Sequence, residues 1–513
     1  MRYKYLGIHV FQVMAIRPKL RAKISTLLPA TNLLLLKRLW RTLENVLFGI
    51  AVFFIAIYFL LQMPSVQNWL VQKVTGYLSE EWETKVSIKS VQVDFFDHLI
   101  LEQFFIEDFR GDTLIYADNL TVGMKGNFFS FLGSHIKFDE IGLSGARLNI
   151  TREEGDPKNS LNEFIAKISG GGGNNKKGRK VTFDIQNLHL NDVLIVEDVE
   201  TYNKKNAAII DREQHIFNIP SGQVRIKNID PDDKLIDIQS AQFDGVQVIL
   251  ASYERAATIK RLPEAKKISQ KTSIPGKPLT FRVGNLLLTN GEFKMDRFDS
   301  SPAGLLPPEV MDYEHLDIKD IVLQGKNLEF NDEFNSNEFR LKGTIQNLSA
   351  KEQCGFDLTH AEIGDLYLSD SIASLNNIRI NTPNTTLGDT IQFTYSGYRD
   401  FRSFDDNVYM DIRLKPDSRL RIGDLNFFDK HLNNSSFFIK NANEIANLSG
   451  DIHGTVNRLR ANDLKIGIDN DIFIDCNFRG NNLSTNDEPQ TLNFEFKELR
   501  SDLNSLNRII PDF

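Results

Sequence analysis

Apolar and polar residues alternate with a period of two along most of the chain after residue 85. This alternation is typical of β-strands that turn one face to an apolar environment and the other to water. Clear runs are Leu120, Val122 and Met124; Val181, Phe183 and Ile185; Val246, Val248 and Leu250; Leu279, Phe281 and Val283. Residues that favour turns separate the runs, at Gly111-Asp112, Pro231–Asp233, Asn290-Gly291, Asn384 and Gly388-Asp389. Because the last short helical pattern is Leu161–Ile168, the chain is predicted to be mainly β with few short helices.

The alternation slips by one residue at a recurring four-residue pattern, in which two polar or small residues, the second an Asn or Asp, separate two apolar residues. Examples are Ile185–Leu188, Ile226–Ile229, Val283–Leu286, Ile345–Leu348, Ile363–Leu366, Leu375–Ile378 and Ile422–Leu425. Each slip is either a bulge that bends one long strand or a turn between two short strands, and the sequence leaves both possibilities open. Roughly 30 strands of ordinary length would fit after residue 80.

The apolar face of such a sheet must be covered. With helices scarce, three arrangements satisfy this requirement: a sandwich, a closed solenoid core, or an elongated, curled trough that receives an apolar ligand. The 37 Phe residues suit a lined trough and equally an ordinary core. If a trough forms, its predicted lining is Phe183, Ile185, Leu188, Leu190, Phe281, Val283, Leu286, Leu288, Leu366 and Leu368.

An uncharged stretch between Glu44 and Lys73 predicts one transmembrane helix over residues 45–63, since it supplies the ~20 apolar residues that a span requires. The residues expected to contact lipid are Val46, Phe48, Ile50, Phe53, Phe54, Ile57 and Leu60. Residues 1–44 are basic, which by the positive-inside rule places them in the cytoplasm and residues 81–513 on the other side of the membrane. A cleaved signal peptide is the rival interpretation; the long stretch, its late start and the lack of a small-residue cleavage site oppose it.

Residues 64–80 predict a short amphipathic helix after the span, with Ser65 as N-cap. Val66, Leu70, Val74 and Leu78 would share one face. That face either packs on the next β element, the interpretation we favour, or lies at the membrane surface.

Charge and cysteine content exclude several classes of protein. The first 45 residues hold nine Lys or Arg and one acid, so the net charge of −8 leaves −16 for the remainder. A body this acidic argues against nucleic acid as a partner. With only Cys354 and Cys476, a multi-cysteine zinc site is excluded, and the two thiols could either pair or stay free.

No catalytic, cofactor-binding or metal-binding residue can be assigned from the sequence. The nine His have no metal-ligand spacing. Gly142–Gly145 only partly matches a nucleophile elbow and is better explained as a β-turn. Asp469–Asp475 begins like a calcium loop but lacks its Gly and its closing Glu. We therefore do not expect an enzyme.

Four segments resemble the N-terminal region of the TamB family, the inner-membrane component of the translocation and assembly module, in the form found in Bacteroidetes-type bacteria. They are Met63–Leu70, Val86–Phe95, Phe109–Val122 and Ile141–Ile150. TamB proteins belong with the AsmA-like and bridge-like lipid-transfer proteins. The resemblance implies a single-pass bacterial inner-membrane protein whose periplasmic body is a repeating β-groove with an apolar interior.

The same resemblance implies a role in outer-membrane biogenesis, either phospholipid transport between membranes or assistance to protein assembly and secretion. The expected partners are phospholipid in the groove, the inner membrane, and a TamA-like Omp85 barrel that would be contacted through a C-terminal part beyond Phe513. Two alternatives stay open: a scaffold that templates β-strands without carrying lipid, and a membrane-anchored, polysaccharide-active β-solenoid enzyme.

Overall fold

A computed structural model describes residues 30–61, 63–94, 98–108, 111–124, 138–153, 159–168, 185–203, 208–230, 233–254, 278–297, 307–331, 339–428, 432–469, 471–483 and 489–510. Internal contacts divide the chain into two units, Met1–Trp69 and Leu70–Phe513. Within the described ranges the protein is mainly β, with one long apolar helix near the N-terminus. Of the predicted lining residues, Phe183 lies outside these ranges.

Helix α1 spans Ala30–Leu61. Its segment Trp40–Leu60 is long and apolar enough to cross a membrane, and none of it is buried within the protein. Six of the seven residues expected to contact lipid are exposed, and the seventh, Ile57, is half-buried. The helix begins well before the predicted residue 45, because the basic residues Lys37, Arg38 and Arg41 continue the helix without interrupting it. Basic residues are good helix formers, so they can limit the apolar segment that crosses a membrane while the helix itself continues beyond that segment.

Five shorter helices follow within the described ranges. Helix α2 spans Pro64–Trp82 and α3 spans Ser160–Ile168. Helices α4 (Phe404–Asn407), α5 (Ser436–Lys440) and α6 (Leu503–Ile509) lie in the last quarter of the chain. Asp502 caps α6 by accepting hydrogen bonds from the backbone N–H groups of Asn504 and Ser505, at 2.8 and 3.0 Å. Three single 3-10 turns cover Tyr398–Ser403, Ile422–Phe427 and Leu432–Asn434.

The described strands form one sheet of 20 members. The first ten are β1 (Val86–Ser87), β2 (Ser90–Asp94), β3 (His98–Glu107), β4 (Thr113–Met124), β5 (Phe138–Glu153), β6 (Asn187–Asn203), β7 (Ala208–Asp230), β8 (Leu235–Asp244), β9 (Gln247–Glu254) and β10 (Thr280–Arg297). The second ten are β11 (His315–Asn331), β12 (Arg340–Glu352), β13 (Asp357–Ser369), β14 (Ile372–Asn381), β15 (Thr386–Thr394), β16 (Tyr409–Arg421), β17 (Ile445–Thr455), β18 (Arg458–Ile468), β19 (Ile472–Asn481) and β20 (Thr491–Arg500).

Each strand pairs with its neighbours along the chain, mostly in antiparallel register. β1 and β2 together face β3, and β8 and β9 together lie between β7 and β10. The parallel pairings are β5 with β6 and β10 with both β8 and β9. There are fewer strands than the roughly 30 that ordinary strand lengths suggested, because the strands run long, with 23 residues in β7.

The long strands arise because most of the slips lie inside strands. Register shifts mark bulges at Ile226 in β7, between Ile345 and Leu348 in β12, and between Asn376 and Ile378 in β14. The bulge interpretation therefore holds at these three sites. The turns predicted at Asn290-Gly291 and Gly388-Asp389 were wrong, since both pairs lie within strands. Ile422–Leu425 belongs to a 3-10 turn instead.

The slips align from strand to strand. A slip line is a row of residues with positive φ at matching positions of paired strands, or of strands separated by one other strand. The first slip line comprises Gln103, Gly145, Asp192, Gly245, Asn290 and Asp320. The second slip line comprises Asn327, Gly343, Asn377, Asp389, Gly450 and Asp463. Gly, Asn and Asp dominate both lines because they tolerate positive φ at the lowest cost.

A slip keeps the apolar side chains on one face across the irregularity. In β13 the buried residues are Ala361, Ile363 and Leu366, whereas Glu362 and Asp365 are exposed. The opposite face carries ion pairs between strands, such as Arg282 Nε with Glu329 Oε2 at 2.8 Å and Lys342 Nζ with Glu329 Oε1 at 3.0 Å. The sheet thus has one apolar and one charged face.

Helices cover the apolar face near both ends of the strand order. Near the start, Val74 and Leu78 of α2 and Phe164 of α3 pack on a cluster from β1 to β4. Near the end, Phe437 of α5 and Ile509 of α6 pack on residues of β17 to β19. The amphipathic helix predicted over residues 64–80 therefore packs on the neighbouring β element, as favoured, although Val66 is not in the packed cluster and the side chain of Leu70 lies outside the described part.

Candidate functional site

The candidate site is the apolar face of β6 to β15. Its side chains form a single cluster, named here the central apolar cluster. The buried members are Val224, Ala241, Val283, Leu328, Ile345, Ile363, Leu366 and Ile378, and half-buried members such as Leu188, Leu286, Leu348, Leu368 and Ile391 pack around them. Every member comes from a strand of the one sheet, and in the described part of the chain no helix contributes a side chain to it.

The structure places the predicted lining residues as follows. Val283 and Leu366 are buried in the central apolar cluster, and Leu188, Leu286 and Leu368 are half-buried against it. Phe281 stacks on Phe330 with ring centroids 5.1 Å apart, and Leu288 lies opposite Leu323 of β11. Leu190 packs instead against a small separate cluster of Ala117, Ala146 and Val193. Ile185 is half-buried just before β6, and Phe183 lies outside the described residues.

A cleft of about 380 Å³ opens on the same face at β10 to β13. Its lining is Phe293, Met311, Ile318, Ile321, Leu348, Ala350, Glu352, Phe356 and Leu358. Eight of these nine residues are apolar, and the cleft is open to solvent on one side. Its volume falls at the lower end of the range for small-ligand sites, and its lining suits hydrocarbon.

Aromatic residues brought from a distant part of the chain border this cleft. The backbone N–H of Met311 donates to the carbonyl of Phe427 at 2.8 Å. The ring of Phe356 meets those of Phe427 and Phe428 edge-on, with centroids 5.8 and 5.2 Å apart. The 3-10 turn after β16 thereby fixes one margin of the cleft. Period-two analysis could not find this margin, because it depends on a turn that begins more than 50 residues after the end of β13.

Glu352 is the one acidic residue of the cleft lining, and its carboxylate is turned into the backbone. Its Oε2 accepts from the N–H of Cys354 at 2.7 Å and its Oε1 from the N–H of Asp317 at 3.3 Å. Burial, and then the hydrogen bond to Glu352, raise the pKa of the Cys354 thiol to about 11. Cys354 and Cys476 are both free and buried, which settles the pairing that the sequence left open.

A half-buried carboxylate, Glu197 of β6, lies between two basic side chains of neighbouring strands. Arg152 NH2 of β5 lies 2.9 Å from Oε1, and His215 Nδ1 of β7 lies 3.0 Å from Oε2. Burial alone would raise the pKa of Glu197, but the hydrogen bond to His215 and the charge of Arg152 outweigh it and lower that pKa. The three groups join three adjacent strands, so we assign them a structural role.

The other motifs weighed in the sequence have structural explanations. Gly142–Gly145 is neither a nucleophile elbow nor a turn: it lies inside β5, and Gly145 has φ 58° on the first slip line. Asp469 and Asp471 flank the turn between β18 and β19. Among the described residues no three His, Cys, Asp or Glu side chains are arranged to hold a metal ion.

Comparison with protein-family models, with curated proteins and with solved structures finds no match. In the described residues the chain combines a helix long and apolar enough to cross a membrane with one 20-stranded β-sheet that has an apolar and a charged face.

Proposed function

We propose that this protein is a membrane-anchored lipid carrier whose sheet binds phospholipid acyl chains along the central apolar cluster. The observation that carries the proposal is the composition of that cluster. Nine strands, β6 to β8 and β10 to β15, present apolar side chains, many of them half-exposed, and no side chain of a described helix belongs to the cluster. The two ends of the same face are covered by helices, which leaves the middle as the surface for an apolar ligand.

The slip lines support a curled, trough-like sheet. Bulges and left-handed residues bend a strand, and when they align across a sheet they bend the whole sheet along a line. β11 crosses both slip lines, at Asp320 and Asn327, and in β10 the first line passes through Asn290. Two bends in such a strand would divide its width into a floor and two walls.

Hydrocarbon chains are suitable occupants of such a trough. Each CH₂ transferred from water to an apolar wall contributes about 0.8 kcal/mol, with no reacting group required. The twenty strands occupy roughly 18 positions in the sheet. At ~4.8 Å between strands, the whole sheet would be about 80 Å long and the uncovered apolar path over β6 to β15 about 40 Å, which exceeds the length of one acyl chain.

Helix α1 gives the carrier its anchor. We propose a single pass through the bacterial inner membrane, with the basic N-terminus cytoplasmic and the sheet periplasmic. On the TamB resemblance we extend the proposal to outer-membrane biogenesis with an Omp85-type barrel as partner and without enzymatic activity. The −16 charge of the body supports the exclusion of nucleic acid.

Site-specific photocrosslinking tests the proposal. A photoreactive phenylalanine analogue replaces Leu286 or Leu368 on the apolar face of the membrane-embedded chain. Matched controls carry it at Gln324 or Glu362, exposed positions of the neighbouring strands on the charged face. Illumination followed by mass spectrometry should yield phospholipid adducts at the two apolar-face positions only.

Equal adduct yields on the two faces, or none on the apolar face of a folded chain, would refute lipid binding. A second variant, Ala350→Trp, fills the cleft without adding charge and should reduce adducts at Leu286. Unchanged circular dichroism would show that the loss is not caused by unfolding.

One observation favours a second function, the templating of β-strands. β20 pairs only with β19 among the described strands, and all ten of its residues are exposed. Leu492, Phe494 and Phe496 are 50–56% exposed on this edge. An open strand edge with apolar side chains can accept an extended amphipathic peptide. Crosslinks from β20 to unfolded outer-membrane strands, with no lipid adducts on the apolar face, would favour this function instead.

A further inference from the structure

Helix α2 has two different faces. Val71, Val74, Leu78 and Trp82 pack on the first apolar cluster of the sheet, and the ring of Trp82 meets Phe164 edge-on at 5.6 Å. Away from that face, two large aromatic side chains are open to solvent. Trp69 is 56% exposed and Tyr77 is 55% exposed.

The exposed side chains form a stripe. At about 100° per residue, Trp69, Lys73 and Tyr77 follow each other at spacings of four and lie nearly opposite the packed face. Lys73 is exposed between the two rings. Gly76 lies on the same side, and no atom would contact a Cβ added there. Glu80 continues the stripe as an exposed acid, so the aromatic-basic part is confined to the first turns of the helix.

The position of α2 in the chain limits what can cover this stripe. α1 ends at Leu61 and α2 begins at Pro64. Three Cα–Cα steps of 3.8 Å allow at most about 11 Å between the two helix ends. If α1 crosses a bilayer, the start of α2 must therefore lie within about 11 Å of the end of the span, in or directly beside the interfacial layer, which is about 5–8 Å thick on each side.

We propose that the Trp69, Lys73 and Tyr77 stripe docks into the head-group layer of the bilayer that α1 spans. Indole and phenol rings favour this layer because their apolar bodies meet acyl chains while their polar atoms stay hydrated. Lys73 extends its aliphatic stem along the rings and places its ammonium group among lipid phosphates. Glu80 is repelled by those phosphates and limits the depth of the second half of the helix.

The inference rests on the proposed anchoring by α1 and refines the proposed lipid transport. Because the opposite face of α2 packs on β1 to β4, docking would hold the first strands of the sheet against the lipid head groups. The start of the apolar face would then be positioned to receive lipid from this leaflet.

A fluorescence experiment on the full chain in phospholipid nanodiscs tests the docking. Gly76→Cys provides an environment-sensitive label on the stripe without removing a stripe residue. Cys354 and Cys476 are buried and do not compete for the label. Lipids that carry a nitroxide close to the head group should quench the Gly76 label and leave a label at Glu362→Cys, an exposed position of β13, unquenched.

The stripe itself is then varied. Trp69→Ser with Tyr77→Ser should abolish the quenching at Gly76, whereas the conservative pair Trp69→Phe with Tyr77→Phe should retain it. Equal and negligible quenching at Gly76 and Glu362, in a chain that stays embedded through alkaline extraction, would overturn the docking and leave the anchor intact. A chain that alkaline extraction removes would overturn the anchor and the docking together.

Discussion

Gly450 on the second slip line should be irreplaceable by a residue with a side chain. It lies in β17 with φ 137°, where L-residues are strained. A Cβ at this position would stand 2.9 Å from the carbonyl oxygen of Asp463 and 2.9 Å from the Cα of Leu464. Both atoms belong to the backbone of β18, so no side-chain rotation relieves the clash.

We expect Gly450→Ala to destabilise the β17–β18 pair by about 2–4 kcal/mol, from backbone strain plus displacement of the neighbouring strand. Gly467→Ala is the matched control, since its Cβ would meet Asn447 at an ordinary 3.8 Å. Gly467→Ala should either leave the stability of the folded chain unchanged or raise it by about 0.4–1 kcal/mol, because alanine reduces the conformational entropy of the unfolded chain.

Hydrogen exchange with mass spectrometry measures the effect locally, which suits a sheet whose strands contact mainly their neighbours. Peptides from β17 and β18 should exchange roughly 100-fold faster in Gly450→Ala, because each tenfold change corresponds to about 1.4 kcal/mol. Peptides from β3 to β5 should not change. If the exchange rates of β17 and β18 in Gly450→Ala stay within twofold of those in the parent chain, the claim that this slip line requires glycine at position 450 is refuted.

Three further outcomes are expected. Glu197→Gln should lower the free energy of unfolding at neutral pH by about 1–3 kcal/mol, as measured by denaturant titration. Because the pKa of Glu197 is lowered in the folded chain, this difference should vanish as the pH falls and the parent carboxylate is protonated. Cys354 and Cys476 should resist maleimide at pH 8 and react fully after denaturation, and rapid native labelling would contradict their burial. Phe494→Lys with Phe496→Lys should reduce self-association in sedimentation experiments, while unchanged association would remove β20 as its cause.

The alternation of apolar and polar residues was sufficient to predict a mainly β body, because side-chain period is a local property of the strand. It also identified Val283 and Leu366 as buried members of the apolar face. Alternation could not decide between a bulge and a turn at Asn290-Gly291, since the same residues favour both. The pairing of the adjacent strands decides it, and that pairing involves residues distant in sequence.

The cleft margin at Phe427 is a second feature that the alternation of apolar and polar residues could not predict. Its contact with Phe356 depends on a 3-10 turn that follows β16, and no periodicity links the two segments. A signal for the slip lines was nevertheless present in the sequence. Asn327, Asn377 and Asp463 are Asn or Asp residues inside otherwise alternating runs, and residues of this kind adopt positive φ most readily.

The two outer edges of the described sheet differ in structure. At the first edge the strand is broken into the short β1 and β2, and the Oγ of Ser79 in α2 accepts the Val86 N–H at 3.1 Å. Among the described residues, no helix side chain accepts a hydrogen bond from the outer edge of β20 in this way. An additional strand would therefore meet an interrupted hydrogen-bonding edge at β1 and β2 and a continuous ten-residue edge at β20.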